Sequence, residues 1–418
     1  MSVLLNSLSP PGDKHGATTV HVFPGQGDFA LSPLVRGVRT QPLVRAAVEE
    51  VFDEIDAAGA EYGVPPLGRA LLSPYPPSGR DLAEGPVGRP QLALFGASVA
   101  VHRALSAAGR APHRVLGVSF GEIAACTAGG ILRIADGARA ACELARCLAP
   151  CAGGMTLLGA GEAEARALLR GCGPHGLALA CVNAPDETVL SGPLADLERV
   201  EALARGQDLA TQRLRLPFLS HHPSLTREAD RFAAALRGLP VEPAALPVHS
   251  AVLGRAYEPD EDVPRRLAAC LTHPVHLPRA LRGVVRAPYT QLLEAGTGWS
   301  LTRCARRSLP TEPAAAHAPL SDPDFPWNRP RRGKHAARPR SGSVRDAGPY
   351  EANTSEADRP AAGPRTASAC DASPYEANRL DAEGTTADRP TTDRPAATPR
   401  TATPTAPPTP TTRPDGAA

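Results

Sequence analysis

The sequence predicts an α/β fold, a hydrolase-like core on a mostly parallel sheet with a small ferredoxin-like module inserted into it, and three patterns lead there. Short β-branched or apolar runs alternate with segments of helical periodicity, as expected for strands covered on both faces. Near the middle the texture changes to short units in the order strand, helix, strand, strand, helix, strand. Beyond about position 310, Pro, Ala, Thr and Arg replace the large apolar residues, so the core-forming part ends there and a disordered Pro-rich tail is expected.

Taken in order, Thr18 to Phe23 (TTVHVF) reads as a strand that breaks at Pro24-Gly25-Gln26-Gly27. Leu43 to Ala58 places Val48, Val51, Phe52 and Ile55 at helical spacing with carboxylates on the other face. Gln91 to Ala108 is nearly apolar all round, which suits a helix packed on a sheet. Arg114 to Ser119 reads as a buried strand, and Gly121 to Ala128 opens the next helix. Met155 to Leu158, Leu177 to Asn183 and Thr188 to Gly192 are strands of the small module, with helices near Glu162 to Arg170 and Leu194 to Arg205. The larger texture returns from Leu216 and closes with Leu292 to Gly296 and a helix through Arg307. The expected division is 18–152 with 215–310 for the large subdomain, 153–214 for the small one, and 311–418 for a linker and low-complexity tail. In that tail Asp346 to Asn353 returns with changes as Asp371 to Asn378, and two copies without an apolar face cannot stack.

The 418 residues carry 45 basic and 43 acidic side chains, a balance that excludes a dominant electrostatic footprint for nucleic acid or an anionic membrane. No stretch approaches a membrane span and no secretory signal opens the chain, so a cytoplasmic protein is expected. The nine cysteines form no CxxC pair or other metal-ligand spacing, so no metal site is expected and reduced thiols are.

Gly117-Val118-Ser119-Phe120-Gly121 is a GxSxG between a predicted strand and a predicted helix, the context a nucleophile elbow requires. There the helix N-terminus sets backbone N–H groups beside a developing oxyanion. Two further segments, His21-Val22-Phe23-Pro24-Gly25-Gln26-Gly27 and Phe218-Leu219-Ser220-His221, complete a pattern that resembles the malonyl-CoA:ACP transacylase family, including polyketide synthase acyltransferase domains. Supporting matches are Gln91, Glu122 after the serine, Asn183, Pro247 to Ser250, His273-Pro274-Val275 and Leu293 to Gly296.

The resemblance implies Ser119 as acyl-accepting nucleophile and His221 as its general base, with His222 a neighbour without catalytic duty. It implies an oxyanion hole from the backbone N–H groups of Gln26 and Phe120, and a backbone carbonyl at Cys270 orienting the histidine. The acyl pocket would be lined by Gln91, Val118, Leu144, Asn183, Phe218 and Ser220. No bound cofactor is implied; the substrate is a thioester borne on phosphopantetheine, as acyl-ACP or acyl-CoA, and the partners are acyl carrier proteins or polyketide synthase modules met by a free-standing monomer.

Two positions depart from the family's pattern. Val118 replaces the histidine that most relatives place before the nucleophile, and Leu144 stands 25 positions after Ser119, where the carboxylate-binding arginine belongs. Arg146 is two residues further, about 200° round a helix. An acyl group without a free terminal carboxylate, a starter, aminoacyl or peptidyl unit, is therefore expected, to be moved from acyl-ACP or acyl-CoA to a carrier protein, and the chain resembles the branch that moves aminoacyl or dipeptidyl groups between carrier proteins. An editing hydrolase, a standard malonyl transacylase, a scaffold protein and an ordinary α/β-hydrolase are the alternatives. Asp324 to Arg329 (DFPWNR) resembles the linker that wraps back on such domains.

Overall fold

A sheet of five parallel strands, which present their C-terminal ends to one edge, with one antiparallel strand at its margin, positions the site. The structure, a computed structural model, describes residues 17–286 and 288–327. All of these fall in the first of two units into which the chain divides, the boundary lying between Ser341 and Gly342. The tail and its repeat, together with Asn328 and Arg329, lie outside the described residues.

In chain order the strands are β1 (Ala17–Phe23), β2 (Arg114–Gly117), β3 (Gly154–Leu158), β4 (Ala178–Ala184), β5 (Glu187–Gly192), β6 (Thr211–Arg213), β7 (Val248–Ser250), β8 (Arg255–Ala256), β9 (Val275–His276), β10 (Tyr289–Glu294) and β11 (Ala314–His317). The large sheet has the order β11-β10-β1-β2-β7-β8, parallel throughout except for the β7–β8 pair. Successive side chains alternate across it. Val115, Val248 and Leu293 join the larger core under helices 42–60, 89–107, 121–128 and 134–148, while Leu116, Val20, Val22 and Leu292 face helices 277–284 and 300–308.

His21 faces the larger core and is fully buried. Its Nε2 lies 2.9 Å from the Arg110 carbonyl, which only accepts, so Nε2 carries the proton. Its Nδ1 is then the acceptor for His102 Nδ1–H at 2.9 Å. Burial holds both imidazoles well below their usual pKa, and the neutral pair is satisfied without a carboxylate.

The second sheet has the order β6-β3-β5-β4-β9. The four strands from 154–213 are antiparallel in the ferredoxin-like arrangement, with helices 162–171 and 194–205 packed on Leu158, Leu179 and Leu190. The fifth strand departs from the expected division, since Val275 and His276 of the large-subdomain segment pair in parallel with Cys181 and Val182. The two subdomains are thus joined by a backbone ladder as well as by the two chain crossings.

The expected boundary at 311 is corrected as well. Ala314–His317 pairs with β10 as the parallel edge of the large sheet, because a strand needs only backbone groups to extend a ladder and the short alanines offered no apolar signal. After it the chain straps across the fold. The Leu320 carbonyl accepts from Arg36 Nη2 at 2.8 Å, and Phe325 and Trp327 are each only 5% exposed and meet edge to face at 5.3 Å. Arg110 stacks on Phe325 at 4.9 Å and donates to the Pro326 carbonyl at 2.9 Å. The DFPWNR segment does fold back as its resemblance implied, as far as Trp327.

Trp327→Ala should therefore lower unfolding free energy by about 3–5 kcal/mol. Val241→Ala, at a side chain 43% exposed, should change it by less than about 0.5 kcal/mol. Denaturant unfolding measures both, and equal small effects would show that the strap is not part of the core.

Candidate active site

Where β2 ends, the chain turns at Val118-Ser119-Phe120 into helix 121–128, and Ser119 adopts a φ of 56°, in the left-handed region that side chains other than glycine seldom occupy. The flanking glycines have a steric reason. A Cβ on Gly117 would stand 2.4 Å from Glu122 Cα, and one on Gly121 would stand 2.3 Å from the Phe23 carbonyl oxygen. The tight turn and its approach to β1 therefore exclude any side chain at either position.

The loop after β1 closes over the serine. A Cβ on Gly25 would lie 3.2 Å from Ser119 Cβ, and the Val118 N–H donates to the Phe23 carbonyl at 3.0 Å. Gln26, which opens a short 3-10 turn, accepts on its side-chain oxygen from Gln91 Nε2 at 2.8 Å. Neither the Gln26 nor the Phe120 backbone N–H donates to an acceptor among the described residues.

His221 is 2% exposed, and its Nε2 lies 2.7 Å from Ser119 Oγ. Its Nδ1 lies 2.8 Å from the His273 carbonyl, which can only accept. The proton is therefore on Nδ1 and the Nε2 lone pair receives the Ser119 hydroxyl, the tautomer that a base needs. Burial lowers the His221 pKa to about 4, against an opposing pull from the His273 carbonyl. The imidazole is thus neutral at physiological pH.

This corrects the expectation at Cys270. Cys270 lies inside helix 263–272, where its carbonyl runs along the helix axis, whereas His273 caps the helix with extended backbone and turns its carbonyl sideways. The signal was in the sequence, since His273 precedes Pro274 and a residue before proline is pushed out of the helical region.

Glu122, in the first turn after Ser119, is buried and accepts from Ser250 Oγ at 2.9 Å and from the Tyr257 hydroxyl. Burial pushes its pKa up to about 7, offset in part by those two donors. It ties the elbow helix to β7 and to the segment after β8.

The remaining expected pocket residues divide. Phe218 and Leu144 are buried in the larger core with Phe120, and Ser220 is 9% exposed with its N–H donating to Ser191 Oγ at 3.2 Å. Val118 lies on the other side of the sheet's core, with Leu116. Asn183 is engaged elsewhere, because its amide donates at 3.2 Å to Glu187, whose buried carboxylate also receives Arg303 at 3.0 Å and Arg307 at 2.8 Å. Sequence reading missed this Glu187 cluster, since it joins residues 116 and 120 positions apart.

Among the described residues no group of three His, Cys, Asp or Glu side chains could hold a metal ion, and no helix is long and apolar enough to cross a membrane.

Residues 85–310 match the family model described as acyl transferase domain. The chain is 30% identical over 241 residues to polyketide synthase GfsA of Streptomyces halstedii, covering 57% of this chain and 3% of that protein. It is 29% identical over 279 residues to erythronolide synthase EryA2 of Saccharopolyspora erythraea, covering 66% of this chain and 8% of that one. The chain thus spans less than a tenth of these relatives. The acyltransferase domain from module 8 of the salinomycin polyketide synthase superposes with a TM-score of 0.63 at 27% identity, covering 71% of this chain and 69% of that one. The malonyl-CoA:acyl carrier protein transacylase of Xanthomonas oryzae does so with a TM-score of 0.62 at 25% identity, covering 74% and 96%. With the family model matched across more than half of the chain, and with the serine elbow, the Gly-Gln-Gly loop and the histidine brought together at one sheet edge, this chain belongs to the acyl transferase domain family.

Proposed function

We propose that this chain takes an acyl group from a phosphopantetheine-borne thioester onto Ser119 and passes it to the thiol of an acyl carrier protein in polyketide assembly, and that the acyl group has no free terminal carboxylate. The carrier protein and the pathway rest on what the names of the relatives describe.

The first half-reaction follows from the dyad. Ser119 Oγ attacks the thioester carbonyl as its proton passes to His221 Nε2, and the oxyanion is received by the Gln26 and Phe120 N–H groups. Collapse breaks the C–S bond, and the departing thiolate takes the proton from His221. The acceptor thiol then gives its proton to His221, attacks the Ser119 ester, and Ser119 Oγ leaves with that proton. In this ping-pong route no step needs a metal or a triad carboxylate, because the His273 carbonyl orients the ring and the imidazolium is transient.

The observation that carries the acyl-group reading is Leu144, 2% exposed on helix 134–148. The two arginines of that helix are committed. Arg139 donates to Glu61 at 2.6 and 2.9 Å and to Asp136 at 2.8 Å, while Arg146 stacks on Tyr62 at 4.6 Å and faces Glu143 at 3.7 Å. A malonyl carboxylate would meet an apolar side chain in place of a bidentate partner, and desolvation without compensation is costly. Starter, aminoacyl or peptidyl groups avoid that cost.

Ser119→Ala should abolish acyl-enzyme formation, read as mass added to the protein. His221→Ala should slow it by about three to four orders of magnitude. A labile acyl mass on the alanine variant at 119 would remove the elbow from the reaction. The pH dependence of acylation should show its acid limb near the lowered His221 pKa of about 4, since only the neutral ring is a base. An acid limb near 6.5 would mean that burial does not lower the pKa of the base. Malonyl-CoA should acylate Ser119 slowly beside uncharged or amino-bearing thioesters, and Leu144→Arg should raise the malonyl rate relative to them. Malonyl loading at or above the rate of every uncharged donor would restore the standard transacylase, and release of free acid in place of transfer to a second carrier protein would identify an editing hydrolase.

A further inference from the structure

His221, like Ser119, has a left-handed backbone, with a φ of 54° at a buried position. For a residue with a Cβ this conformation is strained and persists only where contacts on both sides impose it. Those contacts come from different subdomains. On the large side the His222 N–H donates to the Leu271 carbonyl at 2.8 Å. On the small side Ser220 N–H donates to Ser191 Oγ of β5 at 3.2 Å, and the His222 ring reaches the Gly176 carbonyl with Nε2 at 2.9 Å.

The His222 tautomer is determined by its partners. Nδ1 accepts from the Ser224 N–H at 3.2 Å, so Nε2 holds the proton and donates to Gly176. Gly176 is itself fixed within the small subdomain. Its N–H donates to Asp196 Oδ2 at 2.7 Å, and Arg199 joins Asp196 at 2.6 Å to the Pro174 carbonyl at 2.9 Å. An unbroken chain of hydrogen bonds therefore runs from helix 194–205 through residues 174–176 and the His222 ring to the backbone that bears the base.

We propose that His222 is a positioning residue for His221, fastening the left-handed turn to the small subdomain through the Gly176 carbonyl and so setting how closely His221 Nε2 approaches Ser119 Oγ. The proposal rests on the assignment of Ser119 and His221 as nucleophile and base. His222 does not touch the serine and takes no proton from it.

The experiment uses a fluorophosphonate, which reports on the dyad without reference to the acyl donor. Ser119 Oγ bonds to phosphorus, its proton goes to His221 and fluoride leaves. His222→Ala should slow labelling by about tenfold to a hundredfold, the usual effect of a misplaced base, with a thermal midpoint shifted by less than about 3 °C. His222→Gln, whose amide N–H can donate to Gly176, should label within about threefold of the wild type, a rescue expected of a positioning contact. Asp196→Ala, which loosens Gly176 from the far side, should slow labelling in the same direction and carries the test if the alanine variant at 222 does not fold. Labelling of His222→Ala at the wild-type rate, or slow labelling in both His222 variants alike, would overturn the proposal. A wild-type protein that takes no label at Ser119 would instead overturn the dyad assignment and this inference with it, which separates the two failures.

Discussion

The turn between β2 and helix 121–128 is the constraint on which the site depends. It places Ser119 in a strained backbone conformation, and such strain survives only where the surroundings leave no alternative. Here β1 and β7 flank β2, the Gly121 backbone lies against the Phe23 carbonyl, and Glu122 is bonded to Ser250 and Tyr257. Relaxing the turn would break a buried carboxyl from both of its donors, each loss costing about 1–3 kcal/mol. The elbow is held because moving it is more costly than straining it.

Burial is also the main electrostatic influence on the site. It keeps His221 neutral and raises Glu122, and the same low-polarity surroundings make the Ser119 to His221 hydrogen bond stronger than it would be in water. On the proposed reading, the same apolar enclosure would disfavour a substrate carboxylate, since Leu144 offers it no cation.

The small subdomain is attached at several points. β9 pairs with β4, Glu187 receives Arg303 and Arg307 from helix 300–308, and Gly176 receives His222. The Glu187 carboxylate is buried with both guanidinium groups beside it, so its value to stability is the avoidance of an uncompensated charge more than the attraction itself. Together the attachments hold the subdomains against each other at the level of the histidine.

Much of this was legible in the chain by itself. Local rules determined the GxSxG turn, because glycines are needed wherever backbone passes backbone, and they determined the β-branched strands and the strand and helix order of the small module. The Gly25-Gln26-Gly27 loop and the Ser220-His221 pair were readable as parts of one pattern, though nothing local placed them together. Tertiary structure alone decided that Glu187 receives Arg303 and Arg307, that Val275 and His276 join the small sheet, and that Ala314 to His317 completes the large one. The reason is common to all three. Each is a pairing between segments far apart in sequence, chosen by where a free hydrogen-bonding group happens to face once the layers pack, and short polar or alanine-rich stretches carry no periodicity that announces such a partner.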